Sequence, residues 1–589
     1  MKTRIYLFIV LAVFLMNWPC LSHASRYFIT VHGTGAKSGE SWENAYSNDE
    51  MLLLFPDYLE DGDSLFIAEG VYTTKGSAAN GNPGSLLYCK VGASIFGGYP
   101  SNMTGTTIEL KYPSSHETVF SGDLTSGGVP NATCSSNFLY YFTENKSVDI
   151  KGITFCYCYH AGVNNLTTYN FDNAADGKNA FGALVVQQTK ANIQWCKFTR
   201  NATPVPTTSS DGALYYGGAL NIQGCELVRV EDCIFKENFA ARCGAAIGIK
   251  SPATGEITST VLIQRCLFDQ NNLATAFSGK YGGSISINSV GNCYVVNSTF
   301  ARAKYYANGG VLSSGNPLGI FYLISNTFAE NDDYYYTGGS YGKNIRGSNG
   351  VFRMANNINV CNKTDKNFAF STDNYNKISV LYNEAFTTGD QIQFSGYNLL
   401  SVTGTIKADT SAMYTATDKK LVYYDDIFGK VYDISNISST SLVNNGGFSQ
   451  TMKPATNYIG MPQSEFSTLK TLWSIPDDVW KLMDFSVDQR GYIRSATASS
   501  VGACDVNGTL LSTSVKNSKA ASALSATYQG NAQFLLNNIN NSMILVYNIN
   551  GSVLKTIENA HSNYSVDLSS YAKGLYFIKV NGSAVKVVR

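Results

Sequence analysis

Charge is scarce in this 589-residue chain. Asp, Glu, Lys and Arg together make up 15% of it, against about 25% in ordinary soluble domains. The 43 bases balance the 43 acids, and no basic run occurs. Phosphate backbones are bound by clustered positive charge, so this composition argues against a nucleic-acid partner. Proline is also rare, at 13 residues, while glycine reaches 53, tyrosine 38 and phenylalanine 31. That balance suits a strand-rich, turn-rich protein and argues against a proline-rich disordered chain. Long apolar runs are missing too. The stretch Ile5 to Met16 has 12 residues, and a membrane-spanning helix needs about 20.

The short run is an address. Lys2 and Arg4 precede it and Ser22-His23-Ala24 follows it, the layout of a secretory signal (1–24) cleaved after Ala24. Cys20 follows Trp18-Pro19, without the small residues that precede a lipidated cysteine. The mature chain is expected to be exported and to lack a transmembrane segment.

What is present is repetition. Phe-x-x-Asn occurs at Phe198–Asn201, Phe235–Asn238, Phe268–Asn271 and Phe328–Asn331. Phe300 and Phe155 hold the same place, followed by Ala303 and Cys158. From Phe155 the successive intervals are 43, 37, 33, 32 and 28 residues. Interleaved with it is a small-residue signature: Phe181-Gly182-Ala183-Leu184, Gly217-Gly218-Ala219-Leu220, Gly244-Ala245-Ala246-Ile247, Gly282-Gly283-Ser284-Ile285 and Gly309-Gly310-Val311-Leu312. A β-propeller blade needs about 40 residues, more than the shortest interval supplies. A chain that returns to the same place every coil, about 4.8 Å further along an axis, stacks Phe on Phe and Asn on Asn. The expected fold is all-β: a right-handed parallel β-helix solenoid over 25–511, with an N-terminal cap. A Ser/Ala/Lys-rich linker (512–525) and a small C-terminal β-sandwich domain (526–589) follow.

Twelve cysteines remain after the signal, and an even number in an exported protein invites disulfides. However, Cys196, Cys233 and Cys266 each lie two residues before a repeat Phe, with Ser298 and Asn326 in that place in later coils. Stacked at strand spacing they are too far apart for a bond, so buried thiols are the favoured reading. Cys156 and Cys158 have no histidine cluster around them, and neither metal nor cofactor is expected.

Length varies mainly between the repeat Phe and the next small-residue pair, from nine to 27 residues. In-register stacking puts those insertions on one flank, where binding loops on a rigid scaffold usually sit. Tyrosines recur there: Tyr215, Tyr216, Tyr281, Tyr305, Tyr306, Tyr334, Tyr335 and Tyr336, beside Asp332 and Asp333. They make a candidate surface for sugar rings or a protein. Packing of the same rings against the rod is the other reading.

Four resemblances add to this. The alternating repeats over about 155 to 340 resemble those of polymorphic outer membrane proteins, which are β-helical surface proteins. Tyr27-Phe28-Ile29-Thr30-Val31, Gly39-Glu40-Ser41-Trp42 and Gly62-Asp63-Ser64-Leu65-Phe66-Ile67 look like the N-terminal cap of pectin-lyase-like β-helices. Asp488-Gln489-Arg490-Gly491, Arg494 and Val501-Gly502-Ala503 resemble the closing segment of the choice-of-anchor Q family, with Cys504-Asp505 where a glutamate is usual. The tail resembles the C-terminal sorting domain of type IX secretion, with Gly574, Tyr576, Lys586 and Arg589 at the matching positions. That resemblance implies the secretion machinery as a partner, and a secreted or outer-membrane-attached location.

Many pectin-lyase-like proteins act on acidic polysaccharides. Lyases of the fold use clustered carboxylates, Ca²⁺ and a basic residue, and its hydrolases carry Gly-His-Gly, which is absent here. The acid pairs are Asp332-Asp333, Asp425-Asp426 and Asp477-Asp478. The preferred expectation is a non-catalytic, adhesin-like protein that binds a polysaccharide or a host or neighbouring-cell surface protein, with no catalytic residue assigned. A polysaccharide lyase or glycoside hydrolase on the same flank is the alternative.

Overall fold

The computed structural model describes residues 24–510 and 526–588, apart from 75–86, 125–126, 129–137, 160–181, 204–216, 241–242, 251–258, 274–282, 289–290, 306–310, 315–318, 334–343, 348–350, 361–380, 384–391, 402–414, 421, 434–435, 531, 537–541, 549–552, 561–563, 573–574 and 581–582. All of the expected signal (1–24) but Ala24, the expected linker (512–525) and Arg589 lie outside the described residues. The chain divides into two compact units, residues 1–510 and 511–589.

The first unit is a parallel β-helix. One coil runs through Leu184–Gln187, Lys190–Gln194 and Lys197–Thr199, and each segment pairs in parallel with its counterpart in the next coil. Repetition builds three parallel sheets of 11, 11 and nine strands. We call them first (Lys190–Gln194), second (Lys197–Thr199) and third (Leu184–Gln187), joined by a tight corner, a variable corner and a short turn in that order.

Alternation along each strand sends one set of side chains inward. Ile193, Val230, Ile263, Val295 and Leu323 from the first sheet meet Leu184, Leu220, Ile247, Ile285 and Leu312 from the third, all fully buried in one continuous core. The repeat Phe residues come from the second sheet. Centroids from Phe155 to Phe198, Phe235, Phe268, Phe300 and Phe328 are separated by 5.1, 4.7, 4.9, 4.4 and 4.7 Å, with ring planes within 11° of parallel. Each such stack is worth about 0.5–1.5 kcal/mol beyond its area burial.

The Asn of the signature turns inward at the variable corner. Asn238 Nδ2 donates to Phe198 O (2.8 Å) and Asn271 Oδ1 (2.9 Å), while its own Oδ1 accepts from the backbone and side chain of Asn201. A second ladder lies at the tight corner, in the column that begins with the cysteines. There Asn326, Asn357 and Asn398 pass the same bonds upward to Asp418. The ten described cysteines are all buried. Cys196, Cys233 and Cys266 stack as thiols whose Sγ atoms donate to carbonyls two residues back and one coil below. Burial pushes the Cys225 thiol up to about 12.

The glycine pairs sit just before the third sheet because the backbone there has no room for a side chain. Gly244 has φ +60°, and a Cβ added to it would lie 2.4 Å from Ile247 O.

At the N-terminal end, a helix (Asn48–Asp57) opens with a Ser47/Glu50 capping box and lays Met51, Leu54 and Phe55 on the core. At the other end the last parallel pairing joins Leu399–Leu400 to Lys419–Lys420. The chain then stops winding. Residues 422–510, here the return segment, run back along the outside of the rod in short helices and turns. Val422, Tyr424, Ile427, Phe428 and Met452 cover Leu267, Ala301, Ala329, Ile358 and Leu399 on the outer face of the second sheet. Met461, Phe466, Leu469, Trp473 and Val479 cover Leu262, Tyr294, Tyr322 and Ile324 on the outer face of the first.

The second unit is antiparallel. Its two sheets have three strands (Ala526–Gly530, Gln533–Leu536, Tyr564–Asp567) and four (Ser542–Asn548, Val553–Ala560, Leu575–Val580, Ser583–Val588). They share a core of Phe534, Leu536, Ile544, Val546, Val566, Ile578 and Val587.

If the ladders hold the coils in register, Asn238→Ala should cost about 3 kcal/mol, since it leaves several buried groups without a partner. Thr199→Ala, on the outer face, should cost far less. Equilibrium urea denaturation followed by circular dichroism checks the difference, and equal midpoints for the two variants would contradict the ladder's role.

Candidate binding flank

Thirteen non-glycine residues hold the chain in the left-handed region at two corners. At the tight corner these are Trp195, Asp232, Arg265, Asn297, Ser325, Asn356 and Tyr397, with φ from +50° to +60°. At the variable corner they are Tyr157, Arg200, Glu237, Gln270, Arg302 and Glu330, with φ from +53° to +60°. Each costs about 1–2 kcal/mol, and the ladders on either side keep the geometry in place. Their side chains point away from the core and pair along the stack: Arg200 Nε to Glu237 (2.7 Å), Arg265 to Asp232 (2.8 Å) and Arg302 Nε to Asp269 (2.7 Å).

Just beyond the variable corner the roots of the insertions stack as well. Tyr159, Ala202 and Phe239 form successive parallel bridges, and Phe239–Ala240 pairs with Asn272–Leu273. Lys304–Tyr305 pairs with Asp332–Asp333. Insertions from at least six coils therefore leave the rod at the same corner. Of the residues singled out from the sequence, Tyr305, Asp332 and Asp333 are placed by this backbone pairing. Tyr215, Tyr216, Tyr281, Tyr306, Tyr334, Tyr335 and Tyr336 lie outside the described residues.

Sequence reasoning missed Glu330. It stands at the root of the Asp332 insertion and is almost fully buried. Its carboxylate accepts from Tyr424 Oη (2.5 Å), Ser441 N (2.7 Å) and Thr440 Oγ1 (2.5 Å), all from the return segment. Burial and the neighbouring Glu330 charge raise the Tyr424 phenol well above its ordinary value. Nothing in the sequence set it apart, since the same left-handed slot holds Tyr157, Arg200, Glu237, Gln270 and Arg302 in the coils before it.

The closing motif is an anchor. Gln489 accepts from Thr299 Oγ1 (2.5 Å) and donates to Cys266 O (3.1 Å). Arg494, buried, donates to Asn297 Oδ1 (2.8 Å), Gly502 O (2.6 Å) and Ser500 O (3.1 Å). Asp488 holds Arg490 at 2.6 Å, and Asp505 accepts from Ser495 N, Ser500 N and Asn507 N. The remaining acid pairs also have structural partners. Asp426 caps the backbone of Tyr423, and Asp477 binds Lys470 at 2.6 Å. Among the described residues no three His, Cys, Asp or Glu side chains gather closely enough to hold a metal ion.

On the N-terminal half, Glu69 receives His116 Nδ1 (2.8 Å) and both the backbone N and the hydroxyl of Ser101 (3.0 Å each). Those bonds, His116 first, lower its carboxyl from 4.5 to about 2. A depressed carboxyl adds stability that is present above its unfolded value and lost as pH falls toward the folded one. The melting-temperature gap between the protein and Glu69→Gln should thus stay constant above about pH 4.5 and close toward pH 2, modestly because the site is exposed. A gap unchanged between pH 5 and pH 2.5 in thermal scans would contradict the pairing.

Arg494→Met should free the return segment while the coils persist. The expected readouts are a red-shifted Trp473 emission and new protease cuts between residues 440 and 510. Loss of the parallel-sheet circular dichroism at the same midpoint would mean the segment is not separable from the rod.

A family model, the secretion system C-terminal sorting domain, matches residues 528–589. No curated protein matches the chain. Two solved structures align with it. One is the pectate lyase Pel9A, with a TM-score of 0.33 and 14% identity, covering 75% of this chain and 96% of that one. The other is a mannuronic-acid-specific polysaccharide family 6 lyase from human gut microbiota, with a TM-score of 0.25 and 11% identity, covering 67% and 91%. Tyr576 of the matched tail is buried and donates to Ala572 O at 2.5 Å, Lys586 stands opposite Phe577 in the sheet, and Gly574 lies outside the described residues. The chain is a secreted parallel β-helix protein whose C-terminal unit matches the sorting domain of type IX secretion, which directs it to the cell surface or the medium.

Proposed function

We propose that this protein binds a polysaccharide or a cell-surface protein through the variable corner of its rod and does not cleave it. The observation that carries the reading is the stacking of the insertion roots, one coil above another. Loops rooted at a repeat of about 4.8 Å suit a ligand that is itself extended and repetitive, because many weak contacts then add along its length. The tyrosines of these insertions offer flat apolar faces with a hydroxyl at the rim, the chemistry that sugar rings and protein surfaces both accept. The carboxylates whose side chains are described at the corner support binding over hydrolysis. Glu237, Asp269 and Glu330 are each committed to a neighbour, whereas acid/base cleavage of a glycoside needs two free carboxyls facing each other across the substrate.

The purified protein should retain some acidic or neutral polysaccharides, or a cell-surface protein, without producing new reducing ends or unsaturated-product absorbance. Replacing Tyr215, Tyr216, Tyr305 and Tyr306 together by Ala should weaken retention by about tenfold or more and leave the circular dichroism unchanged. Product formation would favour the lyase or hydrolase reading, and unaltered glycan-array and cell-adhesion signals in the variant would remove the flank from consideration.

A further inference from the structure

The four-stranded sheet of the C-terminal unit departs from the usual division of faces. An antiparallel sheet with one side on the core normally turns polar residues outward. The inner side here is regular: Ile544, Val546, Ile578 and Val580 are buried, and Ile544 stands opposite Val580 and Val546 opposite Ile578. The outer side carries an apolar stripe that reaches three strands at Tyr547, with exposed Thr556 opposite Leu545 on the neighbouring strand. Tyr547 stands opposite both Val553 and Phe577, and Leu545 and Met543 continue the stripe along the central strand. Met543 and Val553 are each 51% exposed and Phe577 37%. Exposed Lys579, opposite Leu545, gives the stripe a basic rim. Contiguous apolar area of this kind on a small domain marks a contact surface.

The occupant is indicated by the match of residues 528–589 to a sorting domain, because sorting requires that another protein grip this unit. We propose that the stripe Met543–Leu545–Tyr547–Val553–Phe577 is the face by which a protein of the secretion machinery holds the tail. The complementary surface is apolar, receives the Phe577 ring as an anchor and carries acidic groups opposite Lys579. A pocketed aromatic at the centre of a patch is where binding energy concentrates.

The test uses the full chain, expressed in a bacterium with a working type IX system. Phe577→Lys combined with Val553→Lys should cut surface plus medium protein by about tenfold, the scale set by losing one anchor, with the chain accumulating in the periplasm. Glu558→Lys, an exposed change on the same sheet, should export like the parent. If the double variant melts at a lower temperature, Val553→Thr with Phe577→Thr keeps strand-compatible side chains and removes the apolar face; reduced export at an unchanged melting temperature supports the proposal. Parental export by either folded variant overturns it. So does a loss confined to self-association, or to binding of anionic phospholipid vesicles, while export continues, since the face would then serve a second copy or a lipid surface.

Discussion

The vertical register between coils is the constraint on which everything else rests. A parallel ladder fixes each residue directly above its counterpart, so every inward position becomes a column with one occupant per coil. A column tolerates only occupants that satisfy the one below and the one above. The tight corner illustrates how strict this is. Its column changes from cysteine at 196, 233 and 266 to serine at 298, to asparagine at 326, 357 and 398, and to aspartate at 418. From Cys266 onward each backbone N–H still finds an acceptor in the next coil: Ser298 Oγ, then Asn326, Asn357, Asn398 and Asp418 Oδ1. Asp418 has no amide to donate further. Its second oxygen accepts instead from Thr415, and the ladder ends where the winding does.

Register also explains why so many non-glycine residues sit at positive φ. Such a residue is unfavourable alone, yet at these corners the neighbouring ladders leave the backbone no alternative. The strain is repaid in the pairing of side chains that project together, as in Arg200 with Glu237 and Arg265 with Asp232. The same rule fixes the insertions. Their lengths differ threefold, but their roots cannot drift, because the coil on either side of each is locked.

Legibility in the sequence followed from this. The Phe and Asn columns and the small-residue pairs were readable because identical demands recur every coil and favour identical residues. The pattern faded after 340 because the occupants changed while the column persisted: Asn359 replaces Phe above Phe328 and is fully buried there. The thiol reading of the cysteines was available from spacing alone. The flank from which the insertions leave was readable only as a place, since loops that vary in length obey no column. Glu330 and Arg494 were invisible as contacts because their partners lie about 100 or more residues away in Tyr424, Ser441 and Asn297.

The outer columns carry a message that inner ones do not. On the first sheet, the outward position reads Asp149, Asn192 and Arg229 in successive coils, then Leu262, Tyr294 and Tyr322. The switch marks where the return segment begins to cover the rod, because an outward Leu262 with no exposed area needs something laid over it. The segment thus does for the later coils what charge does for the earlier ones: it finishes a surface that the coil itself cannot finish. Since it also donates three hydrogen bonds to Glu330 at the root of the Asp332 insertion, the covering and the variable corner are one mechanical system. The same chain that hides an apolar face also sets the base from which a loop on the exposed flank departs.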